Sequence, residues 1–367
     1  MSARFLTVVL ERAFNMRDGF GREIDYMRIS VIDSCNLNCY YCNPCDNNEH
    51  CHALNILSVK EVLCIVRAAT RLGIKHFRLT GGEPLLHPQL DEMVLQIKKI
   101  PGVSSVSLTT NAVLLVQHAK WLKEAGIDSI NVSLDTIDAS EYERITKKPL
   151  LEEVKHGINA AIKCGIRVKI NVVLTPQTDV VALTRYASKK GTDIRFIEMM
   201  PVGEGHTNGV EPYEKVIGAL LEVYGTPCHI DTENREEINS GYNNADNGPA
   251  EYYSFHGLNI RVGLIQAIHG KFCDTCNRIR VTADGRLMPC LGSSVTMDLV
   301  PDSWDFADDV EKDFAIVRAL RAAIKAKPRC HNFNDNAVTY TKTTETKTTE
   351  IEAAEVNAAR NMSRIGG

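Results

Sequence analysis

From residue 27 onward the chain repeats one rhythm six times, a short apolar run followed by an amphipathic stretch. The runs MRISVID (27–33), HFRLTGG (76–82), SVSLTTN (105–111), SINVSLD (129–135), RVKINVVL (167–174) and DIRFIEMM (193–200) read as strands. Segments such as SVKEVLCIVRAATRLG, QLDEMVLQIKKI, VQHAKWLKEAG and EEVKHGINAAIKCG read as helices, several ending in Gly, the usual helix stop. Strand and helix in alternation imply right-handed βαβ units and a parallel sheet. Six units make either an incomplete form of the eight-unit barrel or a doubly wound open sheet.

Unusual polar residues gather where these runs stop. A cysteine segment follows the first, and Gly81-Gly82-Glu83-Pro84 ends the second. Thr109, Thr110 and Asn111 close the third, Ser133 and Asp135 the fourth, Glu198 and Met200 the sixth. In both α/β architectures ligands bind at the carboxyl ends of the strands, so five such ends carrying polar residues predict a site there.

After about residue 201 the rhythm ends. With 367 residues the chain is too long for one ordinary core. The reading is an N-terminal extension over 1–26, a partial barrel over 27–225, a smaller C-terminal domain over 226–335 and a tail over 336–367. The tail holds a polar, low-complexity run (341–355) and ends in Gly366-Gly367. A net charge of -4 argues against a nucleic-acid partner. No apolar run has the length of a membrane span and no signal peptide opens the chain, so a reducing cytoplasmic location is expected.

Twelve cysteines in such a compartment point to metal ligation or redox chemistry. Cys64 and Cys164 fall in helical patterns and read as small hydrophobes. In CNLNCYYCNPC (35–45), Cys35, Cys39 and Cys42 are too crowded for the paired spacing of a zinc site. Three thiolates on one loop suit three irons of a [4Fe–4S] cluster and leave the fourth iron open. The second group, Cys273, Cys276 and Cys290, suits another such cluster, with a zinc site completed by His269 as the alternative. Arg278 and Arg280 beside it share one face of a strand, an arrangement that anchors phosphate or carboxylate.

The cysteine triplet, Tyr41 before Cys42, and the GGEP stretch resemble the radical S-adenosylmethionine (SAM) superfamily. Within it, the chain resembles the molybdenum-cofactor biosynthesis protein A family, the GTP 3′,8-cyclases. The matching text includes MRDGFGREIDYMRISVIDSCNLNCYYC, IKHFRLTGGEPLL, SLTTNA, INVSLDTID, IRFIEMM, NGPAEYY, FCDTCNRIRVTADGRL and the terminal IGG. The resemblance implies a lyase with an incomplete (β/α)6 TIM-like radical SAM barrel and a smaller C-terminal iron–sulfur domain. It implies two [4Fe–4S] clusters, on Cys35, Cys39 and Cys42 and on Cys273, Cys276 and Cys290, with SAM on the first and GTP between them. A 5′-deoxyadenosyl radical takes the C3′ hydrogen of GTP, C3′ attacks guanine C8, and reduction gives (8S)-3′,8-cyclo-7,8-dihydro-GTP, the first step of molybdenum cofactor synthesis.

By matching position, Tyr41, Gly81, Gly82, Ser133 and Met200 are the expected SAM contacts. Arg28, Arg78, Thr109, Lys169, Arg278 and Arg280 are the expected GTP contacts. The implied partners are a downstream cyclic pyranopterin monophosphate synthase and a reductant such as flavodoxin or ferredoxin. A homodimer is compatible with the resemblance. Cys45 is expected to stay off the cluster, because a fourth thiolate would occupy the iron that SAM needs, and Gly366-Gly367 are expected to enter the active site. The chain departs from the family pattern at His76, at His87-Pro88, at Ala112 and at QAIHGK before the second cysteine group. The competing enzymatic reading is a radical SAM peptide maturase with an auxiliary cluster. The non-catalytic one is a binding module with structural zinc.

Overall fold

The computed structural model describes residues 16–42, 55–202, 210–230, 248–293, 296–299, 309–331 and 333. Cys45, Cys51, the 341–355 run and Gly366-Gly367 lie outside the described residues. Six strands form as the rhythm requires: β1 (Tyr26–Ser30), β2 (His76–Thr80), β3 (Ser105–Thr110), β4 (Ser129–Ser133), β5 (Arg167–Val173) and β6 (Asp193–Ile197). Each begins where expected to within a residue. Each ends one to three residues earlier than expected.

The strands pair in parallel and in chain order, β1-β2-β3-β4-β5-β6. A doubly wound sheet would reverse its order part-way, so the barrel-type winding is the correct alternative. Helices α1 (Val59–Arg71), α2 (Leu90–Lys98), α3 (Leu115–Ala125), α4 (Ala139–Thr146), α5 (Leu151–Lys163) and α6 (Val180–Lys190) lie between the strands. Ser58 begins α1 with a full capping box to Glu61, satisfying two otherwise orphaned backbone donors.

Period-2 alternation divides each strand between two surroundings. Met27, Ile29, Phe77, Leu79, Val106, Leu108, Ile130, Ile170, Ile194 and Phe196 are completely buried in the hydrophobic core. The intervening residues Arg28, Arg78, Thr109, Asn131, Asn171 and Arg195 line one cavity. A flat sheet of six strands would be about 24 Å wide, so a single cavity touched by all six requires a curved sheet with a polar concave face.

The later strands extend this sheet at both edges. In the order β12-β11-β10-β1 on one side and β6-β9-β8-β7 on the other, β10 (Arg278–Val281) lies parallel to β1 and β9 (Val262–Ile265) parallel to β6. The remaining strands are β7 (Cys228–Ile230), β8 (Glu251–Ser254), β11 (Arg286–Met288) and β12 (Met297–Asp298). The connection 266–277 therefore starts at the carboxyl end of one edge and finishes beside Tyr26, at the amino end of the other. It carries Cys273 and Cys276 across the open side of the barrel. After α7 (Ala219–Tyr224) and these strands, α8 (Asp309–Lys325) packs on α1.

Candidate active site

One cavity of about 320 Å³ is bordered by both cysteine groups. All the expected site residues line it except Lys169, which is 2% exposed and lies deeper on the same inward face, in register with Asn131 and two residues before Asn171. Six of those residues lie in strands and the rest in connecting segments, so the fold gathers residues up to 262 positions apart.

The first group hangs from the carboxyl end of β1. A turn bonds the Cys42 N–H to the Cys39 carbonyl at 2.9 Å. Gly81 and Gly82 explain why the sequence needs glycine here. A Cβ on Gly82 would stand 2.2 Å from the Ser34 carbonyl oxygen, and one on Gly81 2.3 Å from that of Ile32. The Gly82 and Glu83 amides donate to the Ile32 and Ser34 carbonyls at 2.8 Å each, so the GGEP backbone is stitched to the approach of Cys35. Glu83 is buried and accepts from the Leu85 and Asn111 amides and the Thr110 hydroxyl, tying the end of β2 to the end of β3. Burial pushes its carboxyl up to about 7. Asn111 in turn donates to Asn36 at 2.7 Å and reaches the Cys35 sulfur at 3.9 Å. Ala112 after it adopts φ +65°, a left-handed conformation that glycine holds without strain.

Carboxylates surround this end. Tyr41 donates to Asp135 at 2.5 Å, and Asp135 also accepts from the Val173 amide at 2.8 Å. Burial pushes Asp135 up to about 6. It also raises Cys35 to about 11 and Cys42 to about 12, with the neighbouring thiols and carboxylates adding to it. Glu198, at the end of β6, accepts from the Ile268 amide at 2.7 Å and from the ring of His269. His269 is therefore engaged by a carboxylate through Nδ1. Among the described residues no three His, Cys, Asp or Glu side chains are placed to hold a single metal ion.

The other end is cationic. The register sets Arg280, Arg28 and Arg78 side by side on β10, β1 and β2. Burial and the two neighbouring guanidiniums push Arg28 well below the usual arginine range, and burial takes Arg280 down to about 10. Like charges packed this closely favour an arriving polyanion. Lys169, crowded by burial and by Arg195, Arg167 and Arg78, is likewise driven far down. Beside the second cysteine group, Arg278 and Lys327 overcome burial and draw Cys276 down to about 7.

Among the described residues, four buried polar atoms around the cavity have no hydrogen-bond partner: Thr109 Oγ1, Asn131 Nδ2, Arg195 Nη2 and Arg278 Nε. Unmet donors and acceptors on a cavity wall fit a polar ligand. Asn131, Arg195 and Lys327 were not anticipated from sequence. Only the inward face shared with Thr109 and Arg28 could have signalled the first two. Two family departures sit outside the cavity lining: His76 bonds Ser105, and buried His87 bonds the Leu57 carbonyl. Burial lowers the pKa of both, so neither supplies charge to the cavity.

Comparison with known proteins agrees with this geometry. The radical SAM superfamily model matches residues 29–184, and the Molybdenum Cofactor Synthesis C model matches residues 192–333. A GTP 3′,8-cyclase from Clostridium perfringens is 35% identical over 322 residues, 87% of this chain and 95% of that protein. One from Moorella thermoacetica is 38% identical over 326 residues, 87% of this chain and 96% of that protein. Among solved structures, Streptococcus suis SuiB bound to S-adenosylmethionine aligns over 82% of this chain and 68% of SuiB. Its TM-score is 0.54 and its identity 15%, a likeness of fold.

Proposed function

The chain belongs to the GTP 3′,8-cyclase family, and on that premise we propose that it closes GTP to (8S)-3′,8-cyclo-7,8-dihydro-GTP. It is a radical SAM enzyme of molybdenum cofactor synthesis, and its cofactors are SAM and two [4Fe–4S] clusters. The observation that carries the finer reading is the polarity of the cavity. SAM bears a sulfonium and an ammonium against one carboxylate, so it suits the end with Asp135 and Glu198. A triphosphate bears about four negative charges and suits the arginine row.

Cys35, Cys39 and Cys42 would hold the first cluster, with Tyr41, Gly81, Gly82, Ser133 and Met200 around SAM. Cys273, Cys276 and Cys290 would hold the second. When bound, SAM supplies the 5′-deoxyadenosyl radical that removes the C3′ hydrogen. Arg28, Arg78, Arg278 and Arg280 anchor GTP, and Thr109 offers its unpartnered hydroxyl. Lys169 acts through its field from beneath the cavity lining, its ammonium being favoured once a polyanion arrives. These residues hold C3′ in one orientation and keep water away. Within GTP, C3′ bonds to C8 of guanine, and one electron and one proton complete the dihydro product. A flavodoxin or ferredoxin supplies this electron and also the one that cleaves SAM to methionine and the radical, and a synthase carries the product on to cyclic pyranopterin monophosphate.

The test is anaerobic turnover of the reconstituted protein with GTP deuterated at C3′. We expect deuterium in 5′-deoxyadenosine and a single cyclised nucleotide. SAM cleavage that ignores GTP and responds to a peptide instead would overturn the reading in favour of a maturase.

A further inference from the structure

A buried lysine at the second cysteine group has no part in the chemistry described so far. Lys327 is 2% exposed and follows the end of α8. Its ammonium donates to the Arg278 carbonyl at 2.7 Å and to the Pro289 carbonyl at 2.9 Å. Arg278 lies two residues beyond Cys276, and Pro289 immediately precedes Cys290. One side chain thus joins the two limbs that carry two of the three thiols.

A second buried cation braces the first. The guanidinium of Arg22 donates to the carbonyl of Cys273 at 2.6 Å and to those of Pro328 and Arg329 at 2.6 and 2.9 Å. Asp18 neutralises Arg22 through a side-chain pair at 2.6 Å. Among the described residues Lys327 donates to carbonyl dipoles and to no carboxylate, and a buried ammonium is costly unless an anion lies close. The anion at hand is the thiolate set of Cys276 and Cys290, toward which the lysine stands.

We propose that Lys327 is the positioning residue and counter-charge of the second iron–sulfur cluster, holding the Cys276 and Cys290 limbs together and favouring the more negative, reduced form of the cluster. The proposal rests on the placement of that cluster on Cys273, Cys276 and Cys290. Reduction adds one electron, supplied in a titration by dithionite, and takes a 2+ cluster core to 1+. A fixed ammonium beside it makes that gain of negative charge more favourable.

The experiment compares Lys327→Gln and Lys327→Met with wild type, all in full-length chains carrying Cys35→Ser, Cys39→Ser and Cys42→Ser so that only the second site is loaded. Iron and sulfide are counted, and the reduced cluster is titrated by electron paramagnetic resonance. Expected is a midpoint potential lower than wild type in Lys327→Gln, and the same shift with loss of iron in Lys327→Met. Loss of iron from both variants with an unchanged circular dichroism spectrum also supports the proposal. Unchanged iron and potential in both overturn it, as does collapse of the helical signal, which would make Lys327 a folding residue. If the parent chain with an intact Lys327 carries no cluster, the placement of the cluster itself fails.

Discussion

The two cysteine groups share a local device and differ in everything around it. In each, a Cys-x2-Cys turn closes with a backbone bond, from Cys42 to Cys39 and from Cys276 to Cys273. The first turn sits against Asp135, and its thiols are pushed up, Cys42 to about 12. The second sits against Arg278 and Lys327, and Cys276 falls to about 7. The lesson is that spacing selects thiol ligation while the surroundings select the ligand. An acidic end favours a cationic cofactor, and a basic end a polyanionic substrate.

The strongest way to break this comparison is to remove one region and see whether the other survives. Cys35→Ala and Cys273→Ala are each expected to abolish cyclisation while leaving about four of about eight irons per chain. Iron analysis checks this, and loss of all iron from either variant would show that the two sites do not load independently. Gly82→Ala comes next. Its Cβ would collide with the Ser34 and Asp33 carbonyls, so the first loop must shift, and the first cluster and turnover should be lost with the second cluster spared.

Substitutions at the two ends sharpen the electrostatic part. Arg280→Ala removes one charged donor from the arginine row, and loss of about 1.5–3 kcal/mol should weaken GTP binding roughly 10- to 150-fold with SAM binding unchanged. Calorimetry with each ligand separates the two. Tyr41→Phe is the mildest. Asp135 loses its 2.5 Å partner, which should cost about 1–3 kcal/mol and show in thermal unfolding and SAM affinity. An equal loss of GTP affinity would show that the two ends are not separate.

Much of this was legible in the chain. The six strands could be read because each is a short apolar run beside helix signals, while periodicity left their order open between a barrel and a doubly wound sheet until the pairing was seen. The cysteine triplets could be read because their ligands are close in sequence. Lys327 and Arg22 could not, since each acts on carbonyls 38 to 307 positions away. Arg195 and Asn131 were hidden for a different reason: one inward-facing polar residue in a strand looks like any other until the strand pairs with its neighbours.

The sequence by itself determined the six strands, the two thiol groups and the family, because these depend on local periodicity and short spacings. The tertiary structure decided what surrounds each group. It placed β10 against β1, setting Arg280, Arg28 and Arg78 abreast. It also left Lys169 buried beneath the cavity lining and turned GGEP into a brace for the loop before Cys35. Those outcomes depend on register and burial, and both arise only when distant segments share one sheet.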